Sequence, residues 1–224
     1  MLVSLTTIPA RSNKIDKIIE SIVNQTVKAS SIVLNIPDEY RRFPEEKVNL
    51  SDYTKKHCQI NKCKDYGPLT KLLPALELTD EKILTVDDDC ILNPHTIEIF
   101  NKYIDDFKDS ALCLRGRKLR GTNYNNSKLL KCHQIRKPTN VDIITGVWGA
   151  VYSNDIIDIN ELKLNYEDSF LNDDILISYL INKKVIIPMG RQQNAHDNYK
   201  INALFDFNCK TNNDKLLKKY FFNK

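Results

Sequence analysis

Lys82-Ile83-Leu84-Thr85-Val86-Asp87-Asp88-Asp89 is the stretch that decides the fold. Ile83 to Val86 form a short apolar, β-branched run, which reads as a buried strand. Three adjacent carboxylates where that strand opens into a loop repel one another. They cost stability unless something positive sits among them. A divalent cation is the direct candidate, and oxygen-only ligands suit hard ions such as Mg²⁺ or Mn²⁺. Such ions commonly hold the phosphates of a nucleotide, so the stretch points to chemistry at a phosphate ester. A solvated acidic turn before a helix is the plainer alternative. The strongly apolar strand and the neighbouring strand-end motifs favour a site.

The same alternation extends on both sides of this strand. Leu2-Val3-Ser4-Leu5 reads as a strand, followed by an amphipathic helix over Asn13 to Gln25, with Ile15, Ile18, Ile19, Ile22 and Val23 on one face. Ile32 to Ile36 is a second strand stopped by Pro37, and a polar stretch runs from Asp38 to Lys56. A weaker strand, Cys58 to Cys63, precedes a helix over Thr70 to Leu78, in which Pro74 marks an irregularity. Asn93-Pro94 supplies an N-cap and a first-turn proline for a helix whose buried face is Ile97, Phe100, Ile104 and Phe107. Ala111 to Leu114, Val141 to Ile144 and Val185 to Pro188, the last strand, complete the pattern, with a helix over Ile175 to Lys183.

Strands alternating with helices predict an α/β fold: one domain, with a mostly parallel central sheet flanked by helices. In such sheets ligands bind beyond the carboxyl ends of the strands. Thr6-Thr7, Asn35-Ile36-Pro37, Asp65-Tyr66-Gly67 and Asp87-Asp88-Asp89 all sit at such ends and are expected to converge on one cleft. Residues 1–114 then form a nucleotide half and 115–224 an irregular second half.

The bulk properties are ordinary for such a domain. The chain has 224 residues, 42% hydrophobic and 28% charged, with a net charge of +4. That charge is too mild to argue for nucleic acid. No apolar run approaches the about 18 residues needed to cross a bilayer. The short apolar start, Met1 to Leu5, meets Pro9 and does not read as a secretory signal, so a cytoplasmic, soluble or peripheral protein is expected. The six cysteines are expected to be reduced thiols. His57-Cys58-Cys63 and Cys132-His133 lie too far apart in sequence to predict zinc.

Other residues can carry chemistry. Asp173-Asp174 open a helix, where acids serve as simple caps or, if buried, as a general base. His196, in a polar segment, can complete a metal shell. Gly146-Val147-Trp148-Gly149 holds the single Trp between two glycines, which suits either a stacking surface for a sugar ring or a core turn. The basic stretch 115–140, with Arg115, Arg117, Lys118 and Arg120 and no acid, can stabilise a leaving diphosphate or attract an anionic acceptor. Lys215 to Phe222 mixes lysines with leucines and aromatics: a docked terminal helix, or a peripheral contact with an anionic membrane.

Taken in order, these pieces resemble the GT-A-fold glycosyltransferases, of family-2 type and of capsular or giant-virus glycan pathways. Val3 to Arg11 resembles the family's first strand and loop, and Asn24-Gln25-Thr26 the close of its first helix. Asp65 to Lys71 resembles its third nucleotide-contacting loop, and Thr85 to Asp89 its DXD motif. Asp173-Asp174-Ile175 with Ser178-Tyr179-Leu180 resembles the segment that supplies the catalytic base.

The resemblance implies a metal-dependent, inverting transfer from a UDP-sugar, or else a GDP-sugar, to a glycan or glycoconjugate hydroxyl. It places Thr6, Pro9, Arg11, Asp65, Lys71, Asp87 and Asp88 around the nucleotide, to which the strand-end positions add Thr7, Asn35, Tyr66 and Gly67. It places Asp89, Asp87 and His196 on Mn²⁺ or Mg²⁺, with Asp174 or Asp173 as the base; the glycine-flanked aromatic turn, Gly146, Trp148 and Gly149, is expected toward the acceptor. The Asp-Asp pair stands where many relatives have Glu-Asp, which leaves open which acid is the base. A sugar nucleotidyltransferase is the first rival, but it wants a glycine-rich loop after the first strand, and Thr6 to Asn13 has no glycine. A non-catalytic glycan-binding module is the second.

Overall fold

The computed structural model describes residues 1–194, 204, 208 and 212–222. Four parallel strands form its first half: β1 (Leu2–Thr6), β2 (Ile32–Pro37), β3 (Gln59–Cys63) and β4 (Ile83–Val86), in the order β3-β2-β1-β4. After the aspartates come β5 (Cys90–Ile91), β6 (Ser110–Cys113), β7 (Arg115–Lys118) and β8 (Lys128–Lys131). β9 (Thr139–Asn140), β10 (Ile143–Ile144), β11 (Ala150–Tyr152), β12 (Lys183–Ile186) and β13 (Gln193–Asn194) follow.

Among the described residues the main sheet has eight strands, ordered β3-β2-β1-β4-β11-β6-β12-β9. β11 runs antiparallel to both β4 and β6, and β9 antiparallel to β12, while β12 and β6 are parallel. A small antiparallel sheet, β10-β7-β8, stands beside it.

The central strands β1, β2, β4, β6 and β11 are buried along nearly their whole length because both faces of the main sheet are covered there, whereas the edge strand β3 is polar and partly exposed. Ile83 faces one core and Leu84 and Val86 the other, as the strand's two-residue period requires. On the first face lie α3 (Leu73–Leu78), α5 (Ile159–Asn165), α6 (Asp173–Leu180) and the short α7 (Asn213–Leu217). On the second lie α1 (Asp16–Val23), buried through Ile18, Ile19 and Ile22, and α4 (Thr96–Ile104), buried through Ile97 and Phe100. This is the mixed, mostly parallel α/β domain that the pattern predicts.

Several boundaries differ from the sequence reading, each for a local reason. Pro9 starts a 3₁₀ turn, Pro9–Lys14, which takes the first turn from the expected helix. The polar segment before β3 contains α2 (Asp52–His57), whose N-cap Ser51 Oγ accepts from Thr54 N–H at 3.0 Å. Asp16 fastens that helix to α1 by accepting from Ser51 Oγ and Thr54 Oγ1, both at 2.6 Å. Pro74 does not distort α3; it lies in the first turn, where its missing N–H needs no partner. The expected Ile175–Lys183 helix begins at Asp173 and stops at Leu180, and Lys183 starts β12. Lys184 Nζ secures that junction by donating to Ser178 O at 2.8 Å. β12 is not the last strand, because β13 pairs with β5. At the C-terminal end, Leu216, Leu217 and Tyr220 are buried in the first core, so the segment docks on the domain.

Candidate active site

A cavity of about 330 Å³ opens beyond the carboxyl ends of β1 and β4 and reaches across to the start of α6. Asp87, Asp88 and Asp89 line one side, and Asp173 and Asp174 the other. The two acidic clusters, 86 residues apart from Asp87 to Asp173 in sequence, share one cleft.

Lys71 joins them. Its Nζ lies 2.7 Å from Asp87 Oδ1 and 3.1 Å from Asp173 Oδ2. The first contact is a directed hydrogen bond; the second is an ion pair that leaves Asp173 Oδ2 without one. Burial opposes the charge on Lys71, but Asp173, Asp87 and Asp174 outweigh it and hold the ammonium well above the usual lysine range. The 3₁₀ turn Gly67–Lys71 delivers this side chain, and Ser4 Oγ ties the turn to β1 by donating to Lys71 O at 2.6 Å.

The three consecutive aspartates have different surroundings. Asp88 accepts from Thr7 Oγ1 and from Arg11 Nη1, each at 2.7 Å, and so braces the loop after β1 against the loop after β4. Asp87 is held by Lys71. Among the described residues Asp89 has only a loose approach to Arg11, 3.7 Å, and its side chain is 41% exposed. Burial, then Asp87 and Asp88, push its carboxyl up to about 6, against the pull of Arg11 and Lys71.

On the far side, Asn172 caps α6 by accepting from Ile175 N–H at 3.2 Å. That cap leaves Asp173 and Asp174 in the first turn, favoured there by the helix dipole. Asp174 Oδ1 accepts from Gly146 N–H at 2.8 Å. Burial, with Asp173 next, raises the Asp174 carboxyl to about 7, in the range where a carboxylate serves as a base near neutrality. Gly146 has no room for a side chain without moving this group: an added Cβ would lie 3.1 Å from Lys71 Nζ and 3.4 Å from Asp174 Oδ1.

Of the residues expected at the site, Thr6, Thr7, Arg11, Asp65, Gly67, Lys71, Asp87, Asp88, Asp89, Gly146, Asp173 and Asp174 line the cavity. Asp65, though part of the lining, has both carboxylate oxygens engaged by its own loop, accepting from Arg41 N–H and Gly67 N–H, both at 2.8 Å. Pro9, Asn35, Tyr66, Trp148 and Gly149 are not part of the lining. Pro9 starts the turn that carries Arg11. Asn35 is buried beneath the site, donating to Ser4 Oγ at 2.9 Å and accepting from Asn61 Nδ2 at 2.8 Å. Tyr66 packs edge-on against Tyr166. Trp148 is buried in the second core, in a turn with φ +76°. His196 lies outside the described residues.

Sequence reasoning did not single out Tyr40, Phe43, Tyr124 and Phe170, which also line the cavity. Tyr40 donates to Thr7 O at 2.9 Å from a segment without periodicity, and nothing in its neighbours' identities marks it.

Among the described residues, no three His, Cys, Asp or Glu side chains converge as a metal cage. Asp89 and the second oxygen of Asp87 fit a different arrangement. In it one or two carboxylates hold Mg²⁺ or Mn²⁺, and a ligand's phosphates complete the shell.

No family model and no curated protein matches this sequence. Solved structures do match in fold. S. aureus TarS 1-349 is similar at TM-score 0.51 and 15% identity, over 85% of this chain and 58% of that one. The same protein in complex with UDP-GlcNAc gives TM-score 0.52 at 15% identity, over 85% and 56%. In complex with UDP it gives 0.51 at 14% identity, over 98% and 70%. At such identities the likeness is one of fold. The chain spans less than two thirds of the first two TarS chains, 58% and 56%.

Proposed function

We propose that the protein is a glycosyltransferase that moves a sugar from a nucleotide-diphosphate sugar to a hydroxyl of a glycan or glycoconjugate. A UDP-sugar is favoured over a GDP-sugar. One observation carries this reading: strand-end aspartates and a buried helix-start aspartate face each other across one cleft, joined by Lys71. The fold supports it, since TarS takes UDP-GlcNAc and UDP on the same architecture.

The chain's own residues divide the work. Thr6, Thr7 and Arg11 bound the donor side, with Arg11 oriented by Asp88. A Mg²⁺ or Mn²⁺ ion, held by Asp89 and Asp87, would supply neutralising charge for the departing diphosphate. Asp174 takes the proton from the acceptor hydroxyl. The acceptor oxygen then bonds to the anomeric carbon from the face opposite the diphosphate, and the carbon–oxygen bond to the diphosphate breaks. Configuration inverts, and no covalent enzyme intermediate forms. Asp174 suits the role of base better than Asp173, whose carboxylate is committed to Lys71.

A thermal-shift screen of UDP, UDP-sugars and GDP-sugars, with and without Mn²⁺, tests the reading. A ligand at about a hundred times its Kd adds roughly 2.7 kcal/mol to stability, an easily measured rise in Tm. The expected result is a metal-dependent shift by a UDP compound that Asp89→Asn weakens. No shift with any nucleotide would sink the proposal.

A further inference from the structure

Among the described residues, two arginines face the cleft with no acid paired to them. Arg115 and Arg117 alternate on β7, so both side chains leave the strand on one face, and both line the cavity. Gly116 between them is pressed against the neighbouring strand: a Cβ there would lie 2.9 Å from Ile143 O and from both Val141 methyls. The strand therefore cannot turn its arginines away. Both Nε atoms are buried and make no hydrogen bond among the described residues.

Arg117 is held in place by stacking on Tyr124, 4.5 Å to the ring centroid, and by donating to Ser127 Oγ at 3.0 Å. Arg115 lies 5.9 Å from the Trp148 ring centroid, at the outer limit of a cation–π contact. Among the described residues neither arginine has an acid within ion-pair distance. Arg11 and Lys71, in the same cleft, are both paired with aspartates. Burial lowers the Arg115 pKa, so the cation lacks full compensation from the protein. Half-buried guanidinium groups with unused donors are built for an oxyanion on a ligand.

Position says which ligand. The donor side is the β1 and β4 ends, with Asp87 to Asp89. Arg115 O accepts from Thr145 N–H at 3.1 Å, and the next residue, Gly146, donates its N–H to Asp174 Oδ1 at 2.8 Å, so β7 stands beside Asp174. If Asp174 takes the acceptor's proton, the β7 side of Asp174 meets the acceptor.

We propose that Arg115 and Arg117 form a subsite for a negatively charged group on the acceptor, a phosphate or a carboxylate, so that the acceptor is anionic. The acceptor assignment rests on the glycosyltransferase reading and its role for Asp174.

The test uses the full chain saturated with UDP and Mg²⁺. Inorganic phosphate, glucuronate and glucose are then titrated, and Tm is followed. Phosphate or glucuronate is expected to stabilise the UDP-loaded protein and glucose is not. The tighter anion names the acceptor's charged group. The Arg115→Met/Arg117→Met variant is expected to bind that anion at least about tenfold more weakly while binding UDP as before. Arg115→Lys keeps a cation on the same face; it should fold with an unchanged Tm and retain most of the anion affinity. Equal anion binding by the double Met variant overturns the subsite. Loss of UDP affinity in that variant also overturns it, by assigning the arginines to the donor diphosphate. Failure of the wild-type protein to bind UDP is a distinct result, one that removes the glycosyltransferase reading and the acceptor assignment together.

Discussion

Lys71 and Asp174 concentrate the electrostatics of the cleft. A buried lysine between two acids is favourable only as a set, because removing one partner leaves the others charged without compensation. Lys71→Met should destabilise the fold by about 3–5 kcal/mol, as measured by urea denaturation. A loss below about 1 kcal/mol would show that solvent already screens Asp87 and Asp173. Asp174 behaves differently, since its carboxyl is raised to about 7 in the folded protein from 3.8. Folding therefore favours its protonated form. The stability this contributes is full below pH 3.8 and is lost as pH rises through about 7. Asp174→Asn fixes the neutral form and keeps an oxygen for Gly146 N–H. Its Tm should match wild type near pH 4 and exceed it at pH 8, while sugar transfer is abolished and UDP binding persists. The wild-type kcat/KM should rise with pH and level off above about 7, where the base is ionised. A variant that transfers sugar at the wild-type rate would remove Asp174 from the reaction.

At the scale of elements, the loop before α3 is the part most tightly specified by backbone geometry. Gly67 has φ +62°, and a Cβ there would stand 2.0 Å from Phe170 O. That clash is with backbone, which cannot swing aside. Gly67→Ala should therefore cost well over about 1 kcal/mol, the usual scale for alanine at a positive φ, and should displace Lys71 at the far end of the turn. A Tm within a degree of wild type would contradict this packing. The same loop shows how much was legible in the sequence. Asp65-Tyr66-Gly67 at a strand end marked a functional turn, and the apolar runs marked β1, β2 and β4, because burial on both faces leaves a pattern that residue types reveal. The roles inside the turn were not legible. Whether Asp65 faces a ligand or its own backbone amides depends on the path of the chain, not on composition. Trp148 was ambiguous for the same reason, and α2 was hidden because a helix of six residues carries too little periodicity to detect.

At the scale of the whole molecule, the sequence suggested a nucleotide half ending at residue 114 and a second half beyond it. The sheet order interleaves them. β11 lies between β4 and β6, pairing Ala150 with both Thr85 and Cys113, and β12 adds to the far side of β6. Neither half has a closed core of its own, since the first core joins Leu2, Val33 and Ile83 to Ile175, Ile177 and Leu217. Removing the second half would strip β4 and β6 of their shared neighbour and expose the face that α5 and α6 cover. Calorimetry should accordingly give one unfolding transition, with calorimetric and van't Hoff enthalpies equal. A fragment of residues 1–114 should fail to fold as a cooperative unit. UDP, though it contacts mainly the first half in the proposed complex, should then raise the Tm of that single transition without splitting it. Two resolved transitions, only one of them moved by UDP, would mean that the halves are energetically separate despite the shared sheet. The Lys71 link between Asp87 and Asp173 would in that case bridge two units instead of lying within one.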